Sequence, residues 1–169
     1  MANGRTKEQT DALYKQLNLR ADQEYNFAIF YDRYINQQRD YGNGIMINMV
    51  EVHTLTMIAD QPGITVNELA KQWRRTKGAV SQNVTKLDNK GLISRQRSEK
   101  DSRHVHLYVT EKGQQLSDLH KEYDVDDVIK TQNNLLKKCT EEELAAFYKV
   151  LEIYNELCID AMDDYGNYK

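Results

Sequence analysis

Between residues 65 and 109 the hydrophobic period changes from three-to-four to strict two, and each change is flanked by a capping residue or a glycine. Few folds accept that pattern. Thr65-Val66-Asn67-Glu68 is a capping box: the Thr hydroxyl can accept from the Glu68 amide while the Glu carboxylate reaches back to the Thr65 amide. Val66, Leu69, Ala70 and Trp73 then face one side of a short helix. Arg74-Arg75-Thr76 makes a tight turn, and Thr76 caps a second helix running to about Lys90. In that helix Val80, Val84 and Leu87 fall at i, i+4, i+7 as one narrow apolar stripe, and Gly91 supplies the stop. Residues 92–97 and 103–109 read as two strands, the second with Val105, Leu107 and Val109 on one face. A polar hairpin loop, 98–102, joins them.

The flanks are different. A single proline, Pro62, leaves long helices open almost everywhere else. Residues 8–40 read as a long helix carrying Leu13, Leu17, Phe27, Phe30 and Tyr34 at helical spacing, and Asp40 to Gly44 is a break. Residues 46–60 give another helix, with Met49, Val52, Leu55, Ile58 and Ala59 as its apolar positions, before a turn at Gln61-Pro62-Gly63. Thr110 starts a helix over 111–136, whose pattern loosens near Tyr123 to Asp127. The last helix, 141–164, carries Leu144, Phe147, Leu151, Tyr154, Cys158, Ala161 and Tyr165 at alternating spacings of three and four. That heptad-like seam exceeds what a small core needs and reads as a subunit interface, hence a homodimer. Three segments follow: an N-terminal arm and dimerisation helix (1–45), a central domain (46–110) and C-terminal dimerisation helices (111–169).

Charge shows what the central domain meets. Residues 71–103 hold ten Lys/Arg against three Asp/Glu, a net +7 in a chain whose total is −3. One short window is therefore basic while both flanks are acidic, the electrostatic footprint of a nucleic-acid-binding face. The motifs inside it agree. Two short helices joined by a tight turn and followed by a charged hairpin form a winged helix-turn-helix, so the fold class is mostly α with a small β-hairpin wing. Thr76, Lys77, Ser81, Gln82, Thr85 and Lys86 lie at the start and outward face of the second helix, and none is acidic. A helix of this size fits the major groove, where Gln82 can address an adenine edge and Lys77 or Lys86 a guanine edge or a phosphate. Arg95, Arg97, Lys100 and Arg103 surround the hairpin, and an arginine at its tip can enter a narrow minor groove. Asp101 fits there if it pairs with Arg103 or Arg97 and fixes the guanidinium's direction.

The stretches Gly63-Ile64-Thr65-Val66-Asn67-Glu68-Leu69-Ala70, Thr76-Lys77-Gly78-Ala79-Val80-Ser81-Gln82 and Leu87-Asp88-Asn89-Lys90-Gly91-Leu92-Ile93 together resemble the MarR (multiple antibiotic resistance regulator) family. So does the wing, Asp101-Ser102-Arg103 followed by Leu107-Tyr108-Val109-Thr110-Glu111-Lys112-Gly113. The motifs span about residues 50–113, and the flanking helices match the family's dimerisation elements in order. The resemblance implies a homodimeric regulator that binds a pseudo-palindromic site on double-stranded DNA, often a repressor released by a small ligand. It carries the family's recognition positions onto Thr76, Lys77, Ser81, Gln82 and Lys86, and its wing residues onto Asp101 and Arg103. Asn83 stands where the family more often has an apolar residue. The family's aromatic effectors bind near a first helix that here holds Tyr25, Tyr31 and Tyr34, with Tyr41 just after it. Interface packing accounts for those tyrosines equally well, and no ligand residue is named.

Other readings are weaker. His104 and His106 lie in the hairpin; His53 and His120 sit on different helices with no acidic residue placed near them by spacing, so no metal site and no cofactor is expected. Cys139, beside Lys137 and Lys138, is a weak redox candidate, and Cys158 falls on the seam as a small hydrophobe. No Gly-rich phosphate loop, Cys-x-x-Cys pair or nucleophile elbow points to an enzyme. With no run of ~18 apolar residues and no signal peptide in the sequence, a cytoplasmic protein away from the membrane is expected. The rival reading from another class is a winged-helix adaptor that has lost DNA recognition and meets an acidic protein partner; a metal- or redox-responsive regulator is a third.

Overall fold

A computed structural model describes residues 4–97 and 105–164, with side chains described to residue 162. Six helices and two small antiparallel hairpins follow in the order α1 (Lys7–Asn36), β1 (Arg39–Asp40), β2 (Met46–Ile47), α2 (Met49–Asp60), α3 (Val66–Gln72), α4 (Lys77–Asn89), β3 (Ile93–Arg97), β4 (Val105–Val109), α5 (Glu111–Leu135) and α6 (Glu141–Asp164). Each helix starts where its sequence supplies an acceptor. Thr6, Thr65 and Thr140 make reciprocal caps with Gln9, Glu68 and Glu143, and Asn48, Thr76 and Thr110 accept single amides.

The stops are equally local. After α4, the Gly91 amide bonds to Asp88 O at 2.8 Å and that of Leu92 to Leu87 O at 3.0 Å, with Gly91 left-handed at φ 68°. Leu92 and Leu87, both fully buried, close this Schellman motif with an apolar contact. The same motif ends α3: Arg74 N to Lys71 O, and Arg75 N to Ala70 O. There the left-handed residue is Arg74, at φ 49°, where no glycine announces the turn.

One core binds residues 41–116. Val52, Leu55 and Ile58 of α2, Leu69 of α3, Val80, Val84 and Leu87 of α4, Leu92, Ile93 and Leu107 of the hairpin, and Leu116 of α5 are its buried centre. The predicted stripe of α4 is thus the buried one, whereas Val66 and Trp73 of α3 are only half-buried. In the hairpin Ile93 faces Val109 and Arg97 faces Val105. The turn before α3 joins it as a third extended segment, through Gly63 N to Leu107 O and Leu107 N to Ile64 O.

Three boundaries correct the sequence reading. The first helix ends at Asn36, not residue 40, and the next starts at Met49, not residue 46. The intervening break is an ordered hairpin, Arg39 paired with Ile47 and Asp40 with Met46. Two-residue strands are too short to show a period; the Asp40 carboxylate organises the turn by accepting the amides of Gly42, Asn43 and Gly44, which hold it below the usual carboxylate range. Finally, α5 is continuous through residues 123–127.

α1 and α6 stand apart from this core. No residue of α1 is buried, and Tyr14, Leu17, Leu19, Tyr25, Phe27 and Phe30 are all at least half exposed. On α6, Leu144 and Leu151 are half-buried while Phe147, Tyr154, Cys158 and Ala161 are exposed; the Tyr154 hydroxyl donates to Glu24 of α1 at 2.7 Å. Among the described residues no helix is long and apolar enough to cross a membrane.

Candidate nucleic-acid interface

α4 is sunk on one face by Val80, Val84 and Leu87, so its opposite face is fixed as a surface. Lys77, Ser81, Gln82, Thr85 and Lys86 are all exposed there, and Thr76 caps the helix by accepting the Ala79 amide at 3.3 Å. Half-buried Asn83 borders the stripe. Lys77, Ser81 and Arg95 line a cleft of about 210 Å³ with Thr65, Val66, Asn67, Val105 and Leu107, where the start of α3, α4 and the wing converge.

The exposed residues are not equivalent. Lys86 Nζ lies 3.3 Å from Glu51 Oε1, and Lys90 Nζ lies 2.5 Å from Glu51 Oε2 and 3.1 Å from the Met46 carbonyl. Glu51 is buried in α2, so a carboxylate beneath the helix draws both ammoniums back from its outer face. Arg95 is also engaged: its Nε lies 2.8 Å from Asp88 and an Nη donates to the Thr85 hydroxyl at 3.1 Å. Thr85 in turn donates to Ser81 O at 2.9 Å. These bonds tie the root of the wing to α4. Among the described residues Lys77, Ser81 and Gln82 on α4, and Arg97 on β3, carry no such carboxylate anchor. Lys100, Asp101, Arg103 and His104 lie outside the described residues. His106 does not extend the basic face; its Nδ1 sits 2.7 Å from the Gly63 carbonyl and pins the wing to the turn before α3.

Glu51 was legible only as one acidic residue inside the apolar run Met49-Val50-Glu51-Val52. Nothing in sequence spacing points to its pairing with residues on α4.

The fold also assembles a polar cluster between α2 and α5. His53 Nε2 and His120 Nε2 lie 3.3 and 3.4 Å from the same Oδ2 of Asp124. The two imidazoles are 4.8 Å apart between centroids, Trp73 packs edge-on against His53, and Tyr41 packs edge-on against His120. His120 is 2% exposed, and burial pushes its pKa down to about 4 against the pull of Asp124. Asp124 stands i+4 from His120 on α5, a spacing that puts the two on one face and that the sequence reading passed over; helix packing brings His53 to the same carboxylate. Cys139, half-buried beyond α5, donates to the Leu135 carbonyl at 3.3 Å, a role at a helix end.

The MarR family model matches residues 47–105, the stretch that holds α2, α3, α4 and β3 and ends at the first residue of β4. YhjH of Bacillus subtilis (strain 168), an uncharacterized HTH-type transcriptional regulator, is 31% identical over 84 residues, covering 50% of this chain and 48% of that relative. The chain thus matches about half the length of that relative. FabT of Streptococcus pneumoniae, crystallised in complex with DNA, is 29% identical and superposes with a TM-score of 0.61 over 88% of this chain and 99% of its own. ZitR of Lactococcus lactis, a zinc-responsive MarR family member, superposes with a TM-score of 0.62 over 83% of this chain and 97% of its own; at 21% identity the likeness is one of fold.

Proposed function

We propose that the chain, whose residues 47–105 match the MarR family model, is a MarR-family transcription regulator that reads double-stranded DNA sequence-specifically as a homodimer. The family is one of regulators and not of enzymes. One observation carries the reading: Val80, Val84 and Leu87 fix α4 so that Lys77, Ser81 and Gln82 project together from a basic window beside the wing. Lys77 and the first amides of α4 suit phosphate, and Gln82 suits a base edge. Arg95 then acts through Thr85 and Asp88, holding the wing against the helix, while Arg97, Lys100 and Arg103 address the minor groove and Asp101 directs a wing guanidinium.

The homodimer is supported by the apolar surface left open on α1, α6 and the far half of α5, where Val125, Val128 and Ile129 are more than half exposed. A soluble monomer rarely exposes so much contiguous apolar area. Two recognition helices would meet half-sites about one helical turn, roughly 10 bp, apart. We read the protein as a cytoplasmic repressor released by a small-molecule effector.

Fluorescence anisotropy with the DNA upstream of its own gene tests this reading. For ~6–10 phosphate contacts, affinity should fall by about 10³-fold or more between 50 and 200 mM salt. Gln82→Ala should cost about 1–3 kcal/mol at the preferred site and little on random DNA. A flat salt response, or equal losses on both DNAs, favours the protein-binding adaptor instead.

A further inference from the structure

We propose that Arg74 and Arg75, in the turn between α3 and α4, clamp the phosphate backbone of DNA at a point separate from the base-reading face of α4 and from the wing. The proposal rests on the DNA reading above and deepens it.

The fold uses the backbone of these two residues and not their side chains. The Arg74 amide bonds to Lys71 O at 3.3 Å and the Arg75 amide to Ala70 O at 3.0 Å, bonds that any residue but proline makes. Arg74 takes the left-handed conformation, φ 49°, in which glycine is unstrained and an arginine is not. Strain of this kind gathers where function requires a particular side chain. Both arginines are exposed, and among the described residues neither has an ion pair or a side-chain hydrogen bond. That sets them apart within the basic window, where Glu51 already offsets Lys86 and Lys90, and Asp88 offsets Arg95. Lys71, exposed in the last turn of α3, adds a third such cation beside them.

Arg75 is also preplaced. Its Cζ lies 5.4 Å from the centre of the Trp73 ring, within cation–π range, and His53 of α2 packs edge-on against that ring. A stacked guanidinium keeps its donor edge for two oxygens of one phosphate, a bidentate grip that lysine lacks.

The place in the fold suits the ligand. In a helix-turn-helix the first helix crosses the DNA backbone and the second enters the major groove, so the turn between them stands at the groove's edge, where phosphates run. Arg74 precedes Lys77 by three residues, which keeps their backbones within about 11 Å. Arg74, Arg75 and Lys77 therefore suit one strand, with its charge at every ~3.4 Å of axis. Such contacts fix register and carry no sequence information.

Fluorescence anisotropy of the full chain, on the DNA upstream of its own gene and on a random duplex, tests the clamp. Arg74→Gly and Arg75→Gln should each lower the slope of log affinity against log salt by about 0.9, one phosphate, and weaken both DNAs alike, by about 8-fold at ~100 mM salt. Arg74→Lys should recover most of the slope. Arg74→Gly should also unfold at higher urea than wild type, since its backbone strain is relieved; a more stable protein that binds less well has lost a contact, not its fold. Unchanged slopes in both variants beside a steep wild type, or losses confined to the upstream DNA, overturn the clamp and leave the DNA reading standing. A wild type without salt-dependent DNA binding overturns both.

Discussion

Gly113 and Gly78 allow one chemical change to be made twice with opposite results. Both are in the first turn of a helix, and replacing either with alanine restricts the unfolded chain equally. A Cβ at Gly78 meets nothing within 4 Å. Gly78→Ala should therefore raise stability by about 0.5–1 kcal/mol, the ordinary gain in helix propensity. A Cβ at Gly113 would stand 1.9 Å from the Leu92 carbonyl oxygen, 2.9 Å from its carbon and 3.3 Å from Leu55 Cδ1. A carbon-to-oxygen approach closer than about 3.3 Å is repulsive, so backbone must retreat by about 1.4 Å. Leu92 is poorly able to retreat. It is fully buried at the root of the wing, and its carbonyl accepts the Thr110 amide at 3.0 Å. Overpacking at the upper end of its range, about 3 kcal/mol, plus about 1 kcal/mol for the strained hydrogen bond, less about 1 kcal/mol of propensity, leaves Gly113→Ala about 3 kcal/mol less stable. In a domain of this size the expected fall in Tm is roughly 6–12 °C, against a rise of a few degrees for Gly78→Ala. Urea unfolding at matched protein concentration measures both. A neutral or stabilising Gly113→Ala would refute the close approach of α5 to the wing root.

Three further outcomes follow from the same contacts. Arg74→Gly should stabilise the chain by about 1 kcal/mol by relieving a left-handed arginine, and a loss of stability in urea would show that the side chain matters more than the backbone. Glu51→Ala should cost about 1–3 kcal/mol, since Lys90 loses its carboxylate, and should release Lys86; the slope of log affinity against log salt should then steepen by about 1, and an unchanged slope would separate Lys86 from the DNA. His120 sits near 4 folded against 6.5 unfolded, so the unfolded chain takes up the proton first and stability drains away as pH falls from 6.5 towards 4. Unfolding curves of His120→Gln should lack that component; identical pH profiles for the two proteins would reject it.

Periodicity carried the reading furthest where an element is bounded by its own side chains. α3, α4 and α6 begin at Thr65, Thr76 and Thr140, each with its acceptor in the sequence, and Gly91 ends α4. The α4 stripe follows from spacing alone. Legibility failed at Arg74, which turns left-handed without glycine because the Schellman bonds of α3 compel it. It failed again at β1 and β2, whose pairing rests on one aspartate and three amides. At the candidate interface, sequence identified the exposed polar set of α4 but not which members are restrained. Lys86 and Arg95 look alike as cations, yet one is drawn to Glu51 and the other bound to Asp88.

The amino-acid order alone determined what is local: where helices start, which face of α4 is apolar, where the chain turns to a hairpin, and that positive charge gathers in one window. These depend on neighbours within a turn or two, whose distances the backbone fixes. Tertiary packing decided everything that joins distant segments. Glu51 reaches α4, the turn before α3 bonds to β4, and Asp124 meets His53 only because α2 packs across α4 and α5. Such meetings are set by how the buried faces of separate helices dock together, and no spacing along the chain encodes that angle.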